Sequence, residues 1–129
     1  MPDLHSFSKA ERLCSKKRIE ALFAGGSRSL SAYPLRAVFI EVEDDSPTPV
    51  RVLVSVSKRH FKHAVDRNRV KRLIRESYRL NKQLLTDRLQ GRKLDVAFVW
   101  MSDETSDFRT IETRMKNLLQ RIVENMNCD

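Results

Sequence analysis

The sequence predicts an α+β fold in which helices pack against one β-sheet. Two segments, 35–42 and 50–56, alternate apolar and polar residues with the period of a strand, and a third, 94–101, is apolar through most of its length. Apolar residues at helical spacing occur in 16–24 and again near the C-terminus. Because 129 residues is the size of one ordinary domain, we expect 1–129 to form a single domain.

The first element should be a short helix. Ser15 can accept a hydrogen bond from an unpaired amide of the first turn, and Gly25 and Gly26 should end the helix after about Ala24. The preceding residues, 1–13, are mostly polar and are expected to be irregular.

The two alternating segments should pair as an antiparallel hairpin. The strand 50–56 places four valines on one face, and 35–42 places three apolar residues on one side. The connector 43–49 is rich in acidic residues, Ser and Pro, which is typical of a turn.

The C-terminal third should contain a central strand and the last helix. Because 94–101 is apolar nearly throughout its middle, it suits a strand covered on both faces. Ser106 or Asp107 can cap a helix that runs to about Glu124, and 126–129 should fray. The apolar residues of this helix form one stripe, which we expect to face the core: Phe108, Ile111, Met115, Leu118, Leu119, Ile122 and Val123.

Composition excludes several classes of protein. No run of 18 or more apolar residues occurs, which excludes a membrane-spanning helix, and the polar N-terminus lacks the apolar core of a signal peptide. Cys14 and Cys128 are expected to be two reduced thiols. We therefore expect a cytoplasmic protein without a membrane partner.

The positive charge is concentrated in one window. Residues 58–82 contain ten of the 25 Lys and Arg, and their acids are Asp66 and Glu76 alone, so this window carries the whole formal charge of +8. No Gly or Pro interrupts 64–82, and Asp66 near its start complements the helix dipole, so we predict a helix there. Such a concentrated block indicates a surface that binds a polyanion.

The basic helix should dock by one side and expose the other. Its core-facing residues gather on one stripe: Val70, Leu73, Ile74, Ser77 and Tyr78. Four of its basic residues follow one another at intervals of four positions: Arg67, Lys71, Arg75 and Arg79. Like charges at this spacing repel by about 0.2–0.5 kcal/mol per pair, whereas an ordinary solvated helix alternates signs. An anionic partner would relieve this repulsion, and guanidinium groups suit the phosphates of nucleic acid.

Two neighbouring segments resemble the bacterial ribonuclease P protein subunit. The first is Ser55-Val56-Ser57-Lys58-Arg59. The second is Ala64-Val65-Asp66-Arg67-Asn68-Arg69-Val70-Lys71-Arg72-Leu73-Ile74-Arg75-Glu76. That family carries a Ser-Val-Ser-Lys-Lys strand end, followed on a helix by Ala-Val-x-Arg-Asn-Arg-x-Lys-Arg-x-x-Arg. The chain departs from it at Ile19, where a second aromatic is usual, at Leu53, where Gly is usual, and in a connector, 60–63, that is one residue longer.

The resemblance implies both a fold and an activity. The family fold is an αβββαβα sandwich, whose four-stranded sheet has a left-handed crossover around the basic helix; the additional strand would lie near Ser27–Ser31. The family is the protein subunit of an endoribonuclease that removes the 5′ leader of precursor tRNA. Its catalytic RNA uses Mg²⁺, which the RNA and the substrate mainly hold, so we expect neither a catalytic side chain nor a metal site in the protein. The expected partners are the catalytic RNA and precursor tRNA, not DNA.

The resemblance also carries RNA-binding positions onto this chain. They are Lys58, Arg59, Arg67, Asn68, Arg69, Lys71, Arg72, Arg75 and Arg79. Three of them lie beside the apolar stripe and should line a leader cleft between the helix and the sheet: Arg67, Lys71 and Arg75. Three lie further round and should meet the catalytic RNA: Arg69, Arg72 and Arg79. Phe23 matches an aromatic of the leader cleft that can stack on an unpaired base, and plain core packing is its alternative role.

Three alternatives compete with this function. A protein-only nuclease would need metal ligands, and His60, His63 and Asp66 in a cationic loop are a poor cation site. A double-stranded DNA binder could place the basic helix in a major groove, with Asn68 reading adenine, but the flanking elements are predicted strands and not a helix-turn-helix partner. A ribosomal or RNA-chaperone module would differ in activity, because it would not stimulate a catalytic RNA at low Mg²⁺.

Overall fold

A computed structural model describes residues 7–43 and 45–127. Its elements in chain order are a 3-10 turn Lys9–Glu11, α1 Lys16–Phe23, β1 Arg28–Ala32, β2 Leu35–Val42, β3 Val50–Val56, α2 Ala64–Asn81, α3 Gln83–Thr86, β4 Lys93–Trp100 and α4 Phe108–Asn127. The predicted α+β class and the order αβββαβα are confirmed, with α3 as an additional single turn. No helix within these two ranges is long and apolar enough to cross a membrane.

The four strands form one mixed sheet in the order β1-β2-β4-β3. β1 and β2 are an antiparallel hairpin, β2 is antiparallel to β4, and β3 is parallel to β4 through the α2 crossover. The predicted hairpin of 35–42 with 50–56 is therefore wrong, because β4 lies between these strands. β4 is the most completely buried strand, with every residue from Leu94 to Phe98 buried, as expected for a strand in the middle of the sheet. The connector 43–49 is long enough to cross two strand spacings, about 10 Å.

One face of the sheet packs against α2 and α4. The four valines of β3 lie in this core, together with the predicted apolar stripe of α4 except for Phe108, which is half-buried and belongs to neither core. From α2, Val70, Ile74 and Tyr78 are buried in it and Leu73 packs beside them, which confirms the predicted stripe. The inner side of α2 is thus filled by apolar contacts, and its basic residues are left on the other sides.

The opposite face of the sheet packs against α1. Leu22 and Leu13 form a second core with Val38 and Ala97. Arg18 joins α1 to the sheet through a bidentate ion pair: Nε and Nη2 donate to the two carboxylate oxygens of Asp95 at 2.9 and 2.8 Å. Asp95 is 1% exposed, so this pair fixes the position of α1 on the central strand.

The ends of α1 and α4 follow the predicted capping. Ser15 Oγ accepts the Arg18 amide at 3.4 Å, and Gly25 and Gly26, with φ of +103° and +84°, end α1 in a left-handed conformation. Asp107 Oδ1 accepts the Thr110 amide at 2.9 Å, and the hydrogen bonds from Thr110 lower the pKa of this exposed carboxyl.

Both ends of the described chain are more regular than predicted. Within the segment expected to be irregular, the Leu13 amide donates to the Val52 carbonyl at 2.9 Å, and the Phe7 ring packs edge-on against Tyr78 at 5.7 Å. At the other end, the expected fraying of 126–129 is wrong for its first two residues, because α4 continues to Asn127 and Met126 is buried. Residues 1–6 of the segment expected to be irregular, and residues 128 and 129, lie outside the described residues.

Candidate nucleic-acid interface

The basic helix follows a tight loop at the end of β3. Ser57 Oγ accepts the Arg59 amide at 3.1 Å, and the Ser57 carbonyl accepts the His60 amide at 3.1 Å. Phe61 is buried in the core, so the longer connector is anchored by an aromatic side chain. Lys58 and Arg59 are therefore exposed at the strand end, on a backbone that the Ser57 hydrogen bonds and the buried Phe61 hold in place.

Two side chains support this loop. Arg67, half-buried in the first turns of α2, donates from Nη1 to the carbonyl oxygens of Phe61 and Lys62 at 2.8 and 3.1 Å. His60 Nδ1 lies 2.7 Å from Asp103 Oδ1, in the segment that follows β4. His60 thus pairs with Asp103 and not with Asp66. Over 7–43 and 45–127, no group of three or more His, Cys, Asp or Glu could hold a metal ion.

The outer side of α2 presents basic groups to solvent. Asn68, Arg69, Arg72 and Arg75 are exposed and Lys71 is half-buried. With respect to the described part of the chain, none of these five side chains makes a hydrogen bond or an ion pair. These groups are available to an external anion without breaking an internal contact.

Arg79, unlike these five residues, forms an ion pair within the chain. It pairs with Glu76, with Nη2 to Oε2 at 2.9 Å and Nε to Oε1 at 3.3 Å. The hydrogen bond from Arg79 lowers the pKa of Glu76, against a smaller opposing effect of desolvation, and the charges of Arg79 and Arg72 lower it further. An anion at Arg79 would therefore share the guanidinium with a carboxylate.

α1 covers only part of its sheet face. One row of side chains on this face crosses all four strands and is less covered than the neighbouring row: Ser31, Arg36, Val99 and Ser55. Ser31 and Arg36 are exposed and the other two are half-buried, whereas Val38 and Ala97 in the neighbouring row are buried under α1. We call these four residues the open row.

Phe23 lies at the end of α1 and is 51% exposed. It belongs to neither core, so core packing does not account for it. Ile19 and Leu53, the two departures from the family pattern on this side, instead pack against the α1 core.

Phe23 and the basic ridge of α2 do not line one cleft between α2 and the sheet. That space is filled by the buried stripe of α2, and α1 lies on the opposite sheet face. The α1 side and the α2 side of the sheet meet at the β3 edge. There a groove of about 190 Å³ is lined by Arg75 of α2, Leu53 of β3 and Leu13, among others. Because Leu53 and Leu13 belong to the α1 side, Arg75 stands where the basic helix meets that side.

Sequence reasoning missed Arg36 and Ser55 as candidate contacts. Arg36 is exposed on the open row, and its Nε donates to Ser29 Oγ at 2.7 Å. The strand alternation of 35–42 does put Arg36 on the side away from Leu35 and Ala37. Arg36 and Ser55 lie in the same row on either side of β4. This arrangement depends on the strand order, which cannot be read from the alternation of a single strand.

The chain is similar in sequence to proteins named ribonuclease P protein component. The ribonuclease P family model matches residues 7–123. A ribonuclease P protein component from Porphyromonas gingivalis is 45% identical over 127 residues, which cover 97% of this chain and 92% of that protein. One from Chlorobaculum tepidum is 30% identical over 131 residues, which cover 94% of this chain and 85% of that protein.

Solved structures agree with the sequence matches. The ribonuclease P protein from Thermotoga maritima superposes with a TM-score of 0.69 at 25% identity, covering 86% of this chain and 96% of that one. The Staphylococcus aureus protein gives a TM-score of 0.67 at 19% identity, covering 90% and 97%, and so supports the fold alone. The family model and the relatives span most of the chain, and on that ground it belongs to the ribonuclease P family of protein components.

Proposed function

We propose that this protein binds the catalytic RNA of ribonuclease P and the 5′ leader of precursor tRNA, and thereby assists Mg²⁺-dependent removal of the leader. The observation that carries the proposal is the outer side of α2, where Arg69, Lys71, Arg72 and Arg75 have no hydrogen bond or ion pair with any described residue. In a member of the ribonuclease P family, such a surface is suited to RNA.

The physical basis is the release of counterions. Each phosphate that a Lys or Arg neutralises frees condensed cations from the RNA, which favours binding and makes it depend strongly on salt. The protein also lowers the repulsion between two large polyanions, the catalytic RNA and its substrate. That effect is greatest at low Mg²⁺, where few divalent cations are present to screen the phosphates.

The two RNAs would occupy different parts of the surface. Arg69 and Arg72 are exposed on the outer side of α2 and are assigned to the catalytic RNA, with Arg79 beside them. Lys71 and Arg75 are assigned to leader phosphates, because Arg75 borders the groove at the β3 edge.

From that groove the leader would continue over the other face of the sheet. It would pass along the open row, with Arg36 as a further phosphate contact and Phe23 as a stacking surface. Lys58 and Arg59 lie at the strand end between the two regions. Arg67 and Asn68 begin the basic face, and Arg67 also orders the loop before it.

The protein would contribute binding and not bond cleavage. The Mg²⁺ needed for cleavage would be held by the RNA and the substrate. The expected location is the cytoplasm, where the catalytic RNA and precursor tRNA would be found together.

The test is cleavage of precursor tRNA by the cognate catalytic RNA at low Mg²⁺, with and without the protein. We expect strong stimulation with the correct 5′ end, because the protein supplies charge neutralisation that Mg²⁺ otherwise provides. Duplex DNA of the same length as the precursor tRNA is added as a competitor for the protein, and we expect it to compete poorly.

Tight RNA binding without stimulation would contradict the proposal. It would favour a general RNA-binding module, such as a ribosomal or RNA-chaperone protein. Equally tight binding to duplex DNA would instead favour the DNA-binding alternative.

A further inference from the structure

The aromatic ring most exposed among the nine in the chain belongs to Tyr33, which the function proposed above does not use. Its side chain is 65% exposed, compared with 51% for Phe23. Within the described ranges, Tyr33 makes no ring contact and no hydrogen bond through its side chain. The other tyrosine, Tyr78, is by contrast buried between Phe7 and Phe98. Tyr33 therefore contributes little to the core.

The backbone under Tyr33 is held by its neighbours, although the side chain is exposed. Tyr33 and Pro34 form the two-residue turn between β1 and β2, and Ala32 and Leu35 on either side are paired. The Pro34 carbonyl accepts the Met101 amide at 2.8 Å, and Pro34 itself is buried. Because this backbone is already ordered, only the side-chain torsions of Tyr33 lose freedom when the ring contacts a ligand.

The strand register places this turn at the basic end of the sheet. Leu35 pairs with Trp100, and Trp100 pairs with Val56, the last residue of β3 before Ser57 and Lys58. The start of β2 thus lies two strand spacings, about 10 Å, from the end of β3. At this same end, His60 of the β3–α2 loop pairs with Asp103 beyond β4.

The open row connects the end of β3 with the turn between β1 and β2. It runs from Ser55 near Lys58 to Ser31, two residues before Tyr33, with Arg36 between them. A strand of RNA whose phosphates meet Lys58 or Arg36 would bring its unpaired bases close to the exposed ring. An aromatic ring beside cationic groups is the arrangement that binds single-stranded nucleic acid, because every base offers a face for stacking.

We propose that Tyr33 is a stacking site for an unpaired RNA base at the strand end of the sheet. The proposal rests on the function proposed above and adds a residue to its surface. The base would come either from the precursor leader or from an unpaired stretch of the catalytic RNA. Stacking needs the ring and not the hydroxyl, so Tyr33→Phe should behave like the native protein, whereas Tyr33→Ala should lose the contact.

The experiment measures two affinities for the native protein, Tyr33→Ala and Tyr33→Phe. One is the affinity of the protein for the catalytic RNA, and the other is the affinity of the reconstituted holoenzyme for precursor and mature tRNA. We expect Tyr33→Ala to lower one of them by about 5- to 150-fold, the range of one stacked base. Loss for precursor but not for mature tRNA identifies the leader, and loss of assembly identifies the catalytic RNA. In the leader case, abasic substitution at one leader position should reproduce the loss in the native protein and add nothing in Tyr33→Ala.

Two results would overturn the proposal. In the first, Tyr33→Ala binds both RNAs with affinities within about twofold of the native protein, while Lys71→Glu loses RNA binding. The proposed function would then stand, but Tyr33 would have no part in it. The other is an equal loss in Tyr33→Phe, which would assign the effect to the hydroxyl. No measurable affinity of the native protein for the catalytic RNA would remove the proposed function and this inference together. Because Tyr33 is exposed, its variants should unfold with native stability, and the abasic series tests the site without any change to the protein.

Discussion

At the scale of single residues, Lys71 and Arg72 are neighbours with different surroundings. Lys71 is half-buried beside the apolar stripe of α2, and Arg72 is exposed further round the helix. Both residues are cationic, so their assignment to different RNAs rests on the side of α2 that each occupies and not on charge. A matched pair of charge reversals separates the two roles.

We expect Lys71→Glu to weaken holoenzyme binding of precursor tRNA more than binding of mature tRNA. Loss of one contact with a single-stranded phosphate should also lower the salt dependence of precursor binding by about 0.7 in log–log slope. Arg72→Glu should instead weaken assembly with the catalytic RNA. Filter binding over a salt series measures both effects, and Lys116→Glu, an exposed position on α4, is the control for net charge.

Equal losses for precursor and mature tRNA in Lys71→Glu would contradict its assignment to the leader. Unchanged assembly in Arg72→Glu would contradict its assignment to the catalytic RNA.

At the scale of elements, one ion pair joins α1 to the sheet in addition to the apolar contacts of its core. Arg18 and Asp95 are 77 residues apart in the chain and join α1 to the middle of β4. Removing one partner of a buried pair leaves an uncompensated charge, which costs about 3–5 kcal/mol. Since Asp95 is 1% exposed, its carboxylate cannot regain solvation without movement of α1.

We expect Arg18→Ala to lower the free energy of unfolding by about 3 kcal/mol, measured by urea denaturation. Arg18→Met combined with Asp95→Leu should recover most of this loss, because an apolar pair of similar volume carries no buried charge. A loss below about 1 kcal/mol in Arg18→Ala would show that the pair does not fix α1.

The periodicity of single elements was predictable from the sequence. α2 has 18 residues without Gly or Pro, and its stripe of Val70, Ile74 and Tyr78 repeats at helical spacing, so both its docked and its basic sides followed from the residues alone. The central place of β4 followed from its nearly continuous apolar run.

The arrangement of the elements was not predictable in the same way. Strand alternation tells which face a residue occupies but not which strand lies beside it, so the insertion of β4 between β2 and β3 was missed. The open row, the position of Tyr33 and the Arg18–Asp95 pair all depend on that order. For the same reason the expected cleft between α2 and the sheet was misplaced, since the sequence does not indicate that α1 and α2 take opposite faces.

At the scale of the whole molecule, the positive charge is concentrated in one block. The net charge of +8 resides in 58–82, and the rest of the chain is neutral. The rest of the fold serves to hold this block at one sheet end, beside a sheet face that α1 leaves partly open. The central claim is that this surface holds the leader, which mature tRNA lacks.

The most direct test is the ratio of affinities for precursor and mature tRNA, measured with the catalytic RNA alone and with the holoenzyme. We predict that the protein raises this ratio, because the leader gains contacts with the surface while the mature tRNA gains none. We also predict that the increase disappears when the leader is trimmed to a few nucleotides. An unchanged ratio on addition of the protein, with assembly intact, would contradict the account.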